Sequence, residues 1–277
     1  MNKKVLKSLL TIGVVAGIGV GATVAFFNDE ETTTGNVLGA GAVELKIDNE
    51  SYYNGEVSDG TTWDLADLDD GDGPANGSYL FFDFHDLKPG DHGEDTIGLN
   101  VESNEAWVCA NIKFTEAGDG TMTDPELDVD TDDGTWGGEL DDNLYFMFWA
   151  DDGDNVLEDD EQVLMEGWGS AFPQGDTGND GRTYPIADAT FGNAVTGGET
   201  CHIGKAWCFG SMNYTPLGQD DSGDARDPIN NPFFTCDGQA VGNESQTDTL
   251  VGDIKFYAVQ TRHNENFSCE NDWTPWQ

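Results

Sequence analysis

The chain has 277 residues, with 54 Asp and Glu against 11 Lys and Arg, and the resulting formal charge of −43 excludes nucleic acid and anionic lipid surfaces as partners by repulsion. Hydrophobic residues make up 37%, including 15 Phe and 8 Trp, which is enough large apolar surface to build a core and excludes wholesale disorder. Length and composition fit one sizeable domain with long loops.

At the N-terminus, Lys3, Lys4 and Lys7 precede an uncharged stretch over residues 8–27. Such a segment is long enough for a spanning helix or a signal peptide. The glycines and alanines between Ala16 and Ala25 weaken a membrane helix, and Thr23-Val24-Ala25 supplies a small residue at a cleavage position. The expectation is a signal peptide over residues 1–25, cleaved between Ala25 and Phe26. No second apolar run of that length follows, so the mature protein is expected to be secreted and not membrane-spanning. All five cysteines, Cys109, Cys201, Cys208, Cys236 and Cys269, lie beyond that point and would reach a compartment where disulfides form. Their number is odd, so at least one has no partner within the chain, and the pairing stays open.

Downstream, the hydrophobic pattern has period two. Val43, Leu45 and Ile47 share one face of a first strand; a second is expected over residues 78–84. Ile97, Leu99 and Val101 then define a third, and Val108, Ala110, Ile112 and Phe114 a fourth. Further strands are expected over residues 143–150, 205–212 and 253–262. Strands with one buried face and no helical periodicity between them predict an all-β, antiparallel sandwich. Asn54-Gly55 and Asn76-Gly77 mark turns. The connections over residues 115–142 and 166–200 are rich in Asp and Gly and too long for ordinary loops, so they read as decorations or as ion-stabilised excursions. Asn49, Asn76, Asn213, Asn243 and Asn266 each open an Asn-x-Ser/Thr sequon.

The strongest local motif is "WADDGDNVLEDDEQVL", residues 149–164. A calcium loop needs alternating carboxylates, a glycine turn, a main-chain carbonyl and a distal carboxylate that can bind through both oxygens. Asp152, Asp154, the Val156 carbonyl, Glu158 and Glu161 fit positions 3, 5, 7, 9 and 12 of that pattern. Ala150 stands where the first Asp belongs and Gly153 comes early, so Asp151 would have to substitute by a local shift. The competing expectation is a solvated acidic turn. Motifs for a zinc protease, a serine hydrolase or a phosphate-binding loop are absent, and the four histidines are scattered. The chain is expected not to be an enzyme.

Three segments together resemble the TasA and camelysin family of exported matrix-fibre proteins with SipW-type signal peptides. "TVAFFNDEETTTGNVLGAGAVELKI" is similar to that family's cleavage site followed by an aromatic, Asn/Ser-Asp and Thr-rich run into the first strand. "DLKPGD", residues 86–91, resembles its Leu-x-Pro-Gly-Asp turn, and "IKFYAVQTR" resembles its last core strand. The resemblance covers about a third of the chain. It implies cleavage by a SipW-like signal peptidase and a jelly-roll-like sandwich over residues 39–277. It also implies that residues 26–38, with Phe26, Phe27, Asn28, Asp29, Thr32, Thr33 and Thr34, form a strand donated head to tail to a second copy. The implied product is a homopolymeric fibre in an extracellular matrix or on a cell surface. This chain departs from the family in its acidity, its five cysteines and its acidic loop, so assembly is expected to need salt or calcium to screen the charge. Metalloprotease activity associated with camelysin-type relatives has no zinc motif to rest on here. The alternative is a monomeric cell-surface binding or adhesion module, calcium-dependent and presenting Trp136, Trp168, Trp273 or Trp276 to polysaccharide.

Overall fold

The computed structural model describes residues 43–68, 79–121, 123–131, 136–175, 181–190, 192–220 and 226–273. The expected signal peptide, the Ala25/Phe26 cleavage point and the donor segment with Phe26, Phe27, Asn28, Asp29, Thr32, Thr33 and Thr34 lie outside these residues, as do Asn76-Gly77 and Trp276.

The fold is all-β and antiparallel. In chain order the elements are β1 (Leu45–Tyr53), β2 (Glu56–Val57), β3 (Trp63–Ala66), β4 (His92–Val101), β5 (Ala106–Gly118), α1 (Leu140–Asn143), β6 (Leu144–Asp151) and β7 (Val163–Trp168). They continue with β8 (Arg182–Ala187), β9 (Glu199–Phe209), β10 (Ser211–Tyr214), β11 (Phe234–Asp237), β12 (Thr249–Gln260) and α2 (Cys269–Asp272). A large sheet runs β2-β1-β4-β9-β6-β7 with β3 also on β1; a three-stranded sheet runs β12-β5-β8, and β10 pairs with β11 alone. Among the described residues no helix is long and apolar enough to cross a membrane.

The two main sheets pack face to face because their alternating residues converge. Ile47, Ile97, Leu99, Val101, Phe146, Phe148 and Ile203 of the large sheet meet Val108, Ile112, Phe114 and Tyr184 of the smaller one in a single core. Phe114 and Phe146 meet across the gap with centroids 5.5 Å apart and ring planes tilted by 46°. On its outer side the large sheet carries a second apolar cluster of Met147, Trp149, Ala206, Phe233 and Phe234, joined by Val156 and Leu157 from the loop after β6. Gly204 makes that cluster fit: a Cβ there would stand 2.0 Å from the Trp149 ring.

Four expectations need correction. Residues 79–84 form no strand. Phe81 packs on Trp63 and Phe256, Phe82 on Phe146, and Phe84 on Trp207, so successive rings face protein instead of alternating. The Phe81 carbonyl accepts from Lys205 Nζ at 2.8 Å, which satisfies it without a ladder partner. Neither long connection is one loop: β5 runs on to Gly118 and α1 starts at Leu140 within 115–142, and 166–200 holds the end of β7 and all of β8. Pro185 sits in β8, an edge strand, where a missing N–H is tolerated. Residues 205–212 are divided at Gly210, whose φ of 133° ends β9 and starts β10. The last strand begins at Thr249, before the expected start, since a register shift between Val251 and Gly252 hides its first residues from a period-two pattern.

Cys109–Cys269 and Cys208–Cys236 are disulfides, and Cys201 is the free thiol. The Asn49 sequon lies on β1 with the side chain 1% exposed and bonded to the Thr61 carbonyl and Asp95, out of reach of glycosylation in the folded chain.

Candidate functional site

The loop joining β6 to β7 folds over the outer face of the large sheet, anchored by the wholly buried side chains of Val156 and Leu157. Burying these two holds a string of carboxylates against protein instead of leaving them in solvent. Asp151 accepts from Trp149 Nε1 at 3.0 Å and from the Gly153 and Asn155 amides at 3.1 and 3.2 Å. Glu161 reaches back to the Asp152 and Glu158 amides at 2.8 and 2.9 Å, and Asp154 accepts from the Val156 amide at 2.9 Å. Gly153 and Asn155 take positive φ of 120° and 61°, which turns these amides inward. The acidic stretch thus closes on its own backbone.

Two groups of carboxylates result, each with one oxygen per residue within 4.8 Å of the others: Asp151, Asp152 and Glu161, and Asp152, Glu158 and Asp220. Of the sequence-predicted ligands, Asp151, Asp152, Glu158 and Glu161 are brought together. The Asp154 carboxylate belongs to neither group. Asp220 was not anticipated, nor was Arg226, whose guanidinium pairs with Glu158 and stands 3.3 Å from Asp220. Both come from a connection far along the chain, and only the fold puts them beside the loop. Burial pushes Asp151 up to about 7, Glu161 to about 8 and Asp154 to about 6, with neighbouring carboxylates adding to each. Asp152 Oδ1 and Asp154 Oδ2 are buried without a hydrogen-bond partner. An all-oxygen, partly desolvated set of this kind suits a hard divalent cation. His202 stands opposite Asp151 in the ladder, near Asp48 and Asp152, and burial lowers its pKa.

A second feature lies between the sheets. A groove of about 800 Å³ opens beside β12, walled by Phe114 of β5, Phe146 and Phe148 of β6, Trp207 and Phe209 of β9, and Ile254 of β12. Segment 80–89 forms its rim. Among the described residues β12 pairs with β5 alone and no strand lies on its other edge.

The exposed tryptophans divide. Trp273 stacks on Tyr257 at 5.3 Å and closes over the Cys109–Cys269 disulfide, a packing role. Trp136 and Trp168 are 41% and 38% exposed. Trp168 lies edge-on to Tyr145 at 5.3 Å, and the Tyr145 and Tyr214 hydroxyls donate to Glu166 at 3.3 and 2.8 Å.

No protein-family model matches the chain, and no curated protein matches it.

Proposed function

We propose that the protein is an exported structural subunit that polymerises head to tail, residues 26–38 of one copy completing the sandwich of the next along β12. The observation that carries this reading is the apolar groove beside β12, an edge strand of its sheet. An incoming strand would satisfy the main-chain groups of that edge and fill the trough with alternate side chains. Residues 26–38 span about 43 Å when extended, close to the reach of the 12-residue β12. Phe26, Phe27, Val37 and Leu38 supply apolar groups, and Thr32, Thr33 and Thr34 are β-branched residues suited to a strand. Such a contact joins two different surfaces and propagates without closing. The resemblance to the TasA and camelysin family agrees with this reading, including its jelly-roll description, removal of residues 1–25 by a SipW-like peptidase and a place in extracellular matrix or on a cell surface. Calcium at the β6–β7 loop, together with salt, would offset part of the charge that keeps acidic subunits apart.

The test is electron microscopy of the exported chain and of a variant lacking residues 26–34, both at salt high enough to screen charge. The variant should be a folded monomer that does not elongate. Fibres of unchanged number and length would overturn the reading.

One observation favours a second reading. The Trp168–Tyr145–Tyr214 strip with Glu166 at its centre offers flat aromatic faces beside a hydrogen-bonding carboxylate, a platform suited to a sugar ring in a monomeric surface module. Binding of soluble polysaccharide by the wild type and its loss in Trp168→Ala would move this reading ahead.

A further inference from the structure

We propose that Asp119, Glu126 and Asp248 form a second divalent-cation site, separate from the β6–β7 loop and independent of how subunits assemble. The three carboxylates come from three stretches of chain. Asp119 follows β5, Glu126 lies in the turn after it, and Asp248 immediately precedes β12. One oxygen of each lies within 4.8 Å of the others.

A group of acids alone would mean little in a chain with 54 of them. What marks this one is the state of Glu126, which is 0% exposed. Its Oε2 accepts from the Thr123 amide at 2.8 Å and the Thr247 hydroxyl at 3.4 Å, while its Oε1 has no hydrogen-bond partner. Asp248 is in a similar condition. Its Oδ2 takes the Glu139 and Leu140 amides at 2.6 and 3.2 Å, fixing the start of α1, and its Oδ1 is buried and unpartnered. Among the described residues neither Glu126 nor Asp248 has an ion-pair partner. Burial and the charges of Asp119 and Glu126 push Asp248 up to about 6. Desolvated carboxylates facing one another with open acceptors are unfavourable unless a cation joins them.

The donors are all oxygens, which selects a hard cation. Calcium tolerates an irregular shell of six to eight oxygens completed by water, whereas magnesium demands a near-ideal octahedron. Calcium is therefore the ion assigned. Bound there, it would tie the turn holding Glu126 to the first residues of β12, where the chains already run so close that a Cβ on Gly120 would lie 2.2 Å from the Thr247 carbonyl oxygen.

The experiment is calcium titration by calorimetry on the full chain at fixed high ionic strength, with magnesium for comparison. Wild type is compared with Glu126→Gln, with Asp119→Asn, and with Asp152→Asn/Glu158→Gln, which disables the β6–β7 loop. Both single variants should lose one calcium-binding event, or bind it at least about tenfold more weakly. The loop double variant should keep that event. In chelator, Glu126→Gln should melt at or above the wild-type temperature, because the buried charge is gone. Unchanged stoichiometry and affinity in Asp119→Asn and Glu126→Gln would overturn the proposal, as would loss of all calcium binding in the loop double variant. Asp119 is partly exposed, so Asp119→Asn decides the matter should Glu126→Gln fail to fold.

Discussion

Lys205 Nζ lies 2.9 Å from Asp95 Oδ2 in the middle of the large sheet, both side chains wholly buried and directly opposite each other on β9 and β4. The ammonium also donates to the Phe81 carbonyl and stands 3.6 Å from the centre of the Phe82 ring, so it pins the segment that rims the groove. Burial pushes each partner toward its neutral form and the other's charge resists. Removing one partner leaves an uncompensated buried charge. Lys205→Met or Asp95→Asn should each cost about 3–5 kcal/mol, whereas Asp95→Leu/Lys205→Met together should recover part of it, short by about 1 kcal/mol or more each for the Phe81 carbonyl and the Asn49 amide, which lose Lys205 and Asp95 as partners. Denaturant midpoints of the four proteins check this.

In the β6–β7 loop, Asp151 at about 7, Asp154 at about 6 and Glu161 at about 8 all lie above their ordinary values. The folded state therefore binds more protons than the unfolded one between about pH 4 and pH 8. Stability in chelator should fall as pH rises through that window. Calcium displaces those protons, so at 100 times its dissociation constant it should restore about 2.7 kcal/mol at neutral pH and little near pH 4. Melting temperatures across pH, in calcium and in chelator, give the answer. Coincident curves would mean a solvated turn.

Ile254 lines the groove on β12 and is half-buried. Ile254→Lys puts a charge where an incoming Phe would gain about 1.5–3 kcal/mol by burial. The variant should fold and should not form fibres alone. It retains its own residues 26–38, so at a few per cent in wild-type protein it should enter a growing end, offer no groove in turn, and shorten the fibres. Length distributions by electron microscopy against the mixing ratio check the polarity.

The Cys208–Cys236 link spans 28 residues and the Cys109–Cys269 link 160. On chain-entropy grounds their removal should cost about 3–4 and about 5 kcal/mol. Cys201 is the free thiol, and burial pushes it up to about 12. Iodoacetamide should label the native, unreduced protein slowly, and should label one thiol per chain once it is unfolded without reductant. Mass spectrometry reads both.

The parts of the fold legible in the sequence are those where large apolar residues alternate with polar or small ones, even though in β4 and β5 both faces are largely buried. Val108, Ile112 and Phe114 announce β5, and Ile97, Leu99 and Val101 announce β4. The short elements β3, β8, β10 and β11 carry too few alternations to stand out, and β8 is further masked by Pro185. The aromatic run at residues 79–84 looked like a strand because aromatics favour strands. Lys205 instead satisfies the Phe81 carbonyl, and Phe81, Phe82 and Phe84 each contact another ring, Phe82 while 37% exposed. At the acidic loop, sequence spacing located Asp151, Asp152, Glu158 and Glu161. The Val156 side chain, beside Leu157, is what anchors the loop to the sheet. Asp220 and Arg226, like the meeting of Asp119 with Glu126 and Asp248, depend on contacts between distant segments. Local spacing holds no trace of them.

The Cys109–Cys269 bond also makes most of the decorated half of the chain one covalent ring. The connections between β5 and α1 and between β8 and β9 both lie inside it. A protease that cuts either one leaves two pieces still fastened at the ring's closure. They are held again by the β5–β12 ladder, whose register runs unbroken at its far end from Phe256↔Ala110 to Gln260↔Ala106. A nicked molecule should separate into fragments on a gel only after reduction. Digestion of its loops would therefore trim the molecule without dismantling it.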